Sequence, residues 1–583
     1  MKKKTYVWLC TLLAVLLAAI SAVVVSNYGA IAIRISPLID ELRDKVTLNV
    51  VMKLLAKCGI VSLLTGLVTR WFQNRKDRFI NGEIEYRLHK DYALVVGYDF
   101  QVKPLIKKLL CSDEDLIVLL MTDRDVRRIR LEMATELTKD ELERLLIMRR
   151  DLAIDRSYQS LRVRGAKSIY LMGDEGLPGR DVTLLRASDR LANKAESEPK
   201  LDTDSAIKVY MHLDDPAVYS QMRSCELSMD IVNKGEPVFD LELFNYYDSW
   251  VWRCWSVKDS TDGCDAYLPL KFKTDAPRVE LFVIGNGRAQ KSVVDSAITL
   301  MNYGCDTRNC KLTVVSDRAS TILPPNDAIN AFPELEIAAF PLRDLRKVVF
   351  PAMTAVASRD DTSVTVVIAE DTPDMTVKCY LEMPFALRTK NVSVLLWMNA
   401  QSRELPEKAL LKLDSTKDND AMCASVRYFG MSDCLPWYGN RRCEVASSID
   451  YYYDVRDSLP NGTDVKILSV AKSLWNGDTA YKKWLGQARW KKWSSVNSAD
   501  SFKEKVALIG GRKITSDILL LLLRAEHNRW WSERLLADWR VGARDNASRL
   551  HPNLVPFGEL DDATKDIDKI CIASMAQQGF IHG

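Results

Sequence analysis

The chain has 583 residues, and at roughly 150 residues per domain that allows about four folded units, which excludes a single small module. Its 81 Lys and Arg against 78 Asp and Glu leave a formal charge of +3, far from the basic balance of a dedicated nucleic-acid binder, so no direct DNA or RNA binding is expected. The 13 Cys include no C-x-x-C pair, which disfavours both structural zinc and a disulfide framework.

Residues 7–33 carry no charge, beginning VWLCTLLAVLLAAISAVVVS, and about 20 apolar residues suffice to cross a bilayer as a helix. A cleaved signal peptide is the competing reading, with Lys2, Lys3 and Lys4 as its basic region and Ala-Ile-Ser-Ala ending at Ala22 as its cleavage site. The apolar run continues past that site and a second one follows at residues 46–69, so a helical hairpin is the better reading. Lys53 and Lys57 stand at i and i+4 on one face of the second segment. Ammonium groups so placed are interfacial, packed against a neighbouring subunit, or pore-facing. Lys2 to Lys4 before the first span, and Arg70, Arg75, Lys76 and Arg78 after the second, put both termini in the cytoplasm of an inner-membrane protein.

Next comes DYALVVGYDFQVKPLIKKLL, a strand ending at Gly97 and running into an amphipathic helix, then DLIVLLMTD, a strand ending at Asp123. That is the opening of a βαβ unit. In a dinucleotide-binding unit glycines admit a pyrophosphate to the helix N-terminus and an acid after the second strand takes the ribose hydroxyls. Asp123 suits the second role, but Asp99 and Val102 stand where two of the glycines belong, and Asp99 would repel a pyrophosphate. GAKSIYLMGDEG supplies another strand, ending at Gly173 and Asp174, and IKVYMHLDD one more. The charged stretch from Asp123 to Arg164 between them is expected to be long solvated helix.

A second copy begins at RVELFVIGNGRAQKSVVDSAITLMNYG, where Gly285 and Gly287 are retained, and CKLTVVSD ends at Asp317. It is closer to a working nucleotide site than the first, whose candidates are Gly97, Asp123 and Asp174. TSVTVVIAED and NVSVLLWMN read as further parallel strands, buried on both faces. The order of pieces from Asp91 to Cys225 resembles the regulator-of-K⁺-conductance (RCK, or Trk-type N-terminal) domain. That resemblance implies gating rings of eight units, and two units per chain would make the protein a homotetramer.

The remainder is aromatic, basic and helical, including AYKKWLGQARWKKWSSVNSADSFKEKV and LLLLLRAEHNRWWSERLLADWRVGARDNASRLHPNLVPFGELDD. Glu526, Arg529 and Glu533 can share a helix face, and Trp530 and Arg534 are i, i+4 neighbours. Guanidinium and indole together suit a phosphorylated heterocycle, although Trp and Leu at this spacing also serve a core. The segment resembles the ryanodine-receptor repeat (RyR) domain, with Glu526, His527, Arg529, Trp530, Trp539, Arg540, Gly542, His551, Pro552 and Pro556 at matching positions. It departs at Asp538, where the family commonly has Gly. The resemblance implies ligand binding through Glu526, Arg529, Trp530, Arg534, Trp539 and Arg540.

The expected architecture is α/β: an N-terminal two-helix transmembrane hairpin over residues 1–78, two Rossmann-like (RCK) units in tandem over 79–275 and 276–426, and a mainly α RyR-type ligand-binding domain over 427–583. The leading function is an ion channel or pore-forming membrane effector gated by a nucleotide or cyclic nucleotide messenger, in the setting of bacterial antiviral defence that the two resemblances imply. The alternative is a non-conducting membrane-anchored sensor or scaffold. No K⁺-channel T-V-G-Y-G filter is present. No nucleophile–base pair, metal cluster or P-loop is evident, so the chain is not expected to be an enzyme.

Overall fold

The computed structural model describes residues 60–199, 206–233, 236–256, 278–305, 309–324, 326–387, 392–398, 425–430 and 438–582. The chain divides into two units, Met1–Glu83 and Ile84–Gly583. The first of the two expected membrane segments, the start of the second, and Lys53 and Lys57 lie outside the described residues. In the first unit, helix α1 spans Ile60–Ile80, so the helix started in the apolar segment runs on through the basic one. Leu67, Trp71, Phe72 and Phe79 are exposed along it, with Arg75 over the Trp71 ring at 5.5 Å. Among the described residues no helix is long and apolar enough to cross a membrane.

The second unit opens with strands β1 (Tyr92–Val96), β2 (Ile117–Thr122), β3 (Leu145–Arg149), β4 (Ala166–Leu171), β5 (Ile207–His212) and β6 (Phe239–Phe244). They form one parallel sheet in the order β3-β2-β1-β4-β5-β6. Strands β7 (Arg278–Ile284), β8 (Cys310–Val315), β9 (Leu335–Phe340), β10 (Thr362–Ile368), β11 (Val392–Trp397) and β12 (Ser425–Phe429) repeat that order as β9-β8-β7-β10-β11-β12. The chain therefore carries two Rossmann-like units in tandem. Strand β12 crosses the boundary expected at residue 426 and belongs to the second sheet.

The long helix expected between Asp123 and Arg164 is absent. Short helices at Val126–Ala134 and Lys139–Arg144 lead into β3 instead. The Thr138 and Glu141 side chains close a capping box that restarts the helix after a break, and Leu145, Ile147 and Met148 are then buried in the sheet. Burial of that apolar run outweighs the charged flanks.

Helix α2 (Val102–Ser112) follows β1, α3 (Arg180–Ser197) follows β4, α4 (Tyr246–Ser256) follows β6 and α5 (Ala289–Leu300) follows β7. The helical part contributes α6 (Tyr438–Asp454), α7 (Gly477–Gly486), α8 (Arg489–Asp500), α9 (Phe502–Ile509), α10 (Ser516–Leu536) and α11 (Lys569–Gln577). Strand alternation sorts the core: Tyr92, Leu94 and Val96 face one cluster, while Ala93 and Val95 face another. The second cluster is continuous with Val279, Leu281 and Val283 of β7 and with Leu519, Leu522 and Ala525 of α10. One face of each sheet and the helical part thus share a core.

Charged anchors fix this packing. Arg442 on α6 holds Asp500 at 2.6 Å and Asp248 of α4 at 2.9 Å. Arg489 at the start of α8 holds Asp230 at 2.5 Å and donates its amide to Glu226 at 2.7 Å.

Candidate ligand-binding site

The first Rossmann crevice is filled by its own carboxylates. Gly97 has φ of +92°, and a Cβ there would lie 2.3 Å from the Gly173 backbone, so β1 and β4 meet glycine to glycine. Asp99 accepts the Gln101 amide at 3.0 Å at the start of α2, the Arg180 guanidinium at 2.5 Å and the Tyr246 hydroxyl at 2.7 Å. The charge expected to repel a pyrophosphate is buried in its place. Asp174 accepts the Tyr98 amide at 2.8 Å, the Asp123 amide at 3.0 Å and the Thr122 hydroxyl. Asp123 itself is half-exposed at the end of β2, with Arg149 at 3.9 Å.

The second crevice repeats the device. Gly285 has φ of +127°, and Cβ atoms on Gly285 and Gly287 would lie 2.3 Å from the Ala369 carbonyl oxygen and 2.4 Å from that of Glu370. Glu370 accepts the Asn286 amide at 2.9 Å, as Asp174 accepts Tyr98 in the first unit. Asn286 also accepts the Asp317 amide at 3.0 Å. Gly285, Gly287 and Asp317 are therefore brought together, but the loop amide that would face a phosphate already donates to a carboxylate.

The helical part encloses a cavity of about 470 Å³ between α6, α8, α10, the start of α11 and the loop 539–553, within the range of small-ligand sites. Glu526, Arg529, Trp530, Arg534 and Trp539 all line it. Arg540 does not: it pairs with Asp538 at 2.7 Å nearer the surface. The sequence reading missed Asp450 on α6, Trp490 on α8 and Arg544, which also line the cavity.

Helix α10 positions most of this site. The Thr515 side chain accepts the Ile518 amide at its start, and Leu519, Leu522 and Leu523 bury its first turns. Its second half buries charge instead. Arg529 donates to Glu526 at 2.8 Å and to Glu533 at 2.7 Å, and Lys505 of α9 reaches Glu526 at 2.9 Å. Burial would raise the Glu526 carboxyl, but Arg529 and Lys505 hold it well below the usual carboxylate range. Burial pushes Asp568, across the cavity, well up, and the Glu526 charge adds to this.

The helix ends in a left-handed residue, Asp538, with φ of +64°. The Trp539 amide returns to the Arg534 carbonyl at 2.9 Å and the Asp538 amide to Leu535 at 3.1 Å, the hydrogen bonds of a Schellman turn. This turn swings the Trp539 ring back to 5.2 Å from the Arg534 guanidinium, which also lies 5.2 Å from the Trp490 ring and 5.7 Å from Trp530. Three indoles thus surround one cation.

Arg534 is nine-tenths buried and poorly paired. Its Glu533 contact is 3.8 Å and its Ser494 contact 3.4 Å, and its Nε finds no hydrogen-bond partner among the described residues. His551 stands edge-on to Trp530 at 5.0 Å. Burial and the Arg544 and Arg534 charges lower its pKa to about 4, so the ring is neutral at pH 7. Its Nδ1 accepts the Asn553 amide at 3.1 Å, which leaves the proton on Nε2. The site combines a poorly paired cation, flat apolar faces and a neutral donor.

Neither a family model nor a curated protein matches the sequence. Among solved structures, the chain is similar to a mutant of GsuK at 13% identity and TM-score 0.33, covering 69% of this chain and 91% of that one. GsuK bound to ADP gives 14% identity and TM-score 0.32 over 68% of this chain and 90% of that one. The GsuK channel bound to NAD gives 13% and 0.32 over 69% of this chain and 78% of that one.

Proposed function

We propose that the chain is a nucleotide-gated ion channel or pore-forming effector of the inner membrane, in which the helical RyR-type domain binds the messenger and residues 1–78 form the membrane hairpin. The observation that carries the ligand reading is Arg534: a buried guanidinium whose Nε has no partner among the described residues, ringed by three indoles in a cavity large enough for a nucleotide. An unmet buried cation is costly unless an anion completes it. A phosphate satisfies the guanidinium and a heterocycle stacks on the indoles.

The exposed Trp71 and Phe72, followed by Arg75, Lys76 and Arg78 on the same helix, suit the headgroup layer at the cytoplasmic end of a span. Glu526, which lines the cavity, is tied to both Arg529 and Lys505 and acts there as a fixed charge. We read the assembly as a homotetramer and its setting as antiviral defence.

The test reconstitutes the full chain in liposomes and measures ion leakage with ADP, NAD, cyclic nucleotides and cyclic oligonucleotides. Leakage that needs both a ligand and Arg534 is the expected result. Binding without leakage selects the anchored sensor, and no binding of any of these ligands overturns the reading.

A further inference from the structure

The cavity has a second unmet group, of opposite sign to the first. Asp450 on α6 is 3% exposed and lines the cavity. Its Oδ1 accepts the Gln487 side-chain amide at 2.8 Å, and Lys483 lies 3.9 Å from that same oxygen while bonding Asp454 at 2.7 Å. Its Oδ2 is buried and finds no hydrogen-bond partner among the described residues. Buried carboxylate oxygens are rarely left without a donor. Gln487 holds the other oxygen and Lys483 donates to the Asp450 backbone carbonyl at 2.5 Å, so neither side chain meets Oδ2.

The two unmet groups come from different helices and want different chemistry. Arg534, with Arg544 close enough to join it in depressing His551, offers donors to an anion. Asp450 offers an acceptor. Trp490, on α8 three residues after Gln487, brings its ring to Arg534, so an indole face lies on the segment that joins the two groups. We infer that Asp450 is a specificity-determining residue that accepts a hydrogen bond from a hydroxyl or amino group on the nucleoside part of the ligand, while Arg534 holds its phosphate. This rests on the reading of the cavity as a nucleotide receptor and extends it. The cavity then selects a nucleoside phosphate over a bare phosphate or an acidic peptide, because only a ligand with both ends meets both groups.

Isothermal titration of the full chain tests this with two probes, ADP and inorganic pyrophosphate. The wild-type chain is expected to bind ADP more tightly than pyrophosphate by about tenfold or more. Asp450→Asn, which keeps the shape but replaces one oxygen by an amide, is expected to bring ADP to the pyrophosphate level and to leave pyrophosphate unchanged. The unchanged pyrophosphate titration shows that the variant is folded. Two ligand-side truncations need no variant: 2′,3′-dideoxy-ADP removes the hydroxyls and inosine diphosphate removes the amine. One of them should lose the tenfold in the wild type and lose nothing further in Asp450→Asn. The inference is overturned if Asp450→Asn binds ADP as the wild type does, if it weakens both probes equally, or if neither truncation matters. Pyrophosphate binding with no gain for ADP also overturns it while leaving the anion receptor standing; failure of both probes on the wild type sinks the receptor reading itself.

Discussion

Asn528 donates its side-chain amide to Glu334 at 2.5 Å, joining the back of α10 to the first residues of the β9 edge. Glu334 also accepts the Tyr303 amide at 2.9 Å and the Gly304 amide at 2.7 Å. Ser532, one turn on, donates to Asn302 at 3.1 Å. Gly304 has φ of +77°, and a Cβ there would lie 2.7 Å from the Leu521 carbonyl oxygen. The helix that lines the cavity with Arg529, Trp530 and Arg534 therefore rests its other face directly on the second Rossmann-like unit.

Glu334→Ala leaves four donors, the Asn528 side chain and the Tyr303, Gly304 and Cys305 amides, without their acceptor and is expected to cost about 3 kcal/mol or more, read as a fall in Tm. Asn528→Ala leaves the backbone bonds to Glu334 in place and should cost about 1 kcal/mol. It should still bind ADP. What it should lose is any ligand-induced slowing of hydrogen exchange at Tyr303 and Gly304; unchanged protection there would show that α10 does not carry the signal across this joint.

Arg534 separates a binding role from a packing role. If its poorly paired charge is kept for a ligand, then Arg534→Met, which retains length among the indoles, should leave the unliganded protein as stable as before or about 1 kcal/mol more stable, because an unmet buried donor is removed. Binding of ADP and pyrophosphate should fall by at least about a hundredfold. A clear loss of thermal stability in Arg534→Met would mean that the residue is there for packing.

In the first unit the same type of group is fully paired, and the opposite outcome is expected. Arg180 donates to Asp99 at 2.5 Å and lies 3.0 Å from His212 Nδ1. Arg180→Met strands Asp99, which is fully buried, and should destabilise by about 3–5 kcal/mol. The double variant Arg180→Met, Asp99→Asn should recover much of that loss in a chemical denaturation series.

Much of this was readable in the sequence. Strands such as YALVV and TSVTVVI are buried throughout, so a continuous apolar run was a sufficient signal. Strand β9 escaped because it is an edge strand whose LEIAAF is half-exposed, and β3 escaped because LLIMR hides behind a charged helix. Helical spacing pairs Glu526 with Arg529 and Trp530 with Arg534, and α10 carries all four to the cavity wall. Arg540, which the RyR resemblance implied, follows the left-handed turn at Asp538 that ends the helix and is absent from the cavity wall. Asp450, Trp490 and Arg544 reach the cavity from separate elements, which only tertiary packing brings together.

Asp538 itself gives a small, signed prediction. Its φ of +64° suits Gly, and its pair with Arg540 at 2.7 Å is largely solvated and worth little. Asp538→Gly should therefore stabilise slightly, by up to about 1 kcal/mol, with ADP binding kept, because the Schellman turn that aims Trp539 at Arg534 is preserved. Asp538→Val, β-branched and strained at that φ, should lower Tm and weaken ADP together.

The joints between the helical part and the two Rossmann-like units make stability depend on pH. Burial raises Glu334 to about 7, with Asn528 and the Tyr303 and Gly304 amides opposing. It raises Glu242 on β6 to about 8, with Asp240 adding to the shift and Arg442 and Lys208 opposing, and it raises Glu504 on α9 to about 8. A carboxyl raised in the folded state holds its proton there after the unfolded chain has released it. Its contribution is complete below the ordinary carboxylate range and is lost as pH rises through the folded value, at about 1.4 kcal/mol per pH unit for each group inside that window. Above about pH 7 the histidines do not mask this: burial lowers His212 and His527, and His551 sits at about 4, so all three are neutral there in folded and unfolded chains. Denaturation midpoints should fall as pH rises from about 7 to 8 and level off above. Glu504→Gln should flatten that fall by the share of one group, and an unchanged slope would show that Glu504 ionises freely in the folded protein.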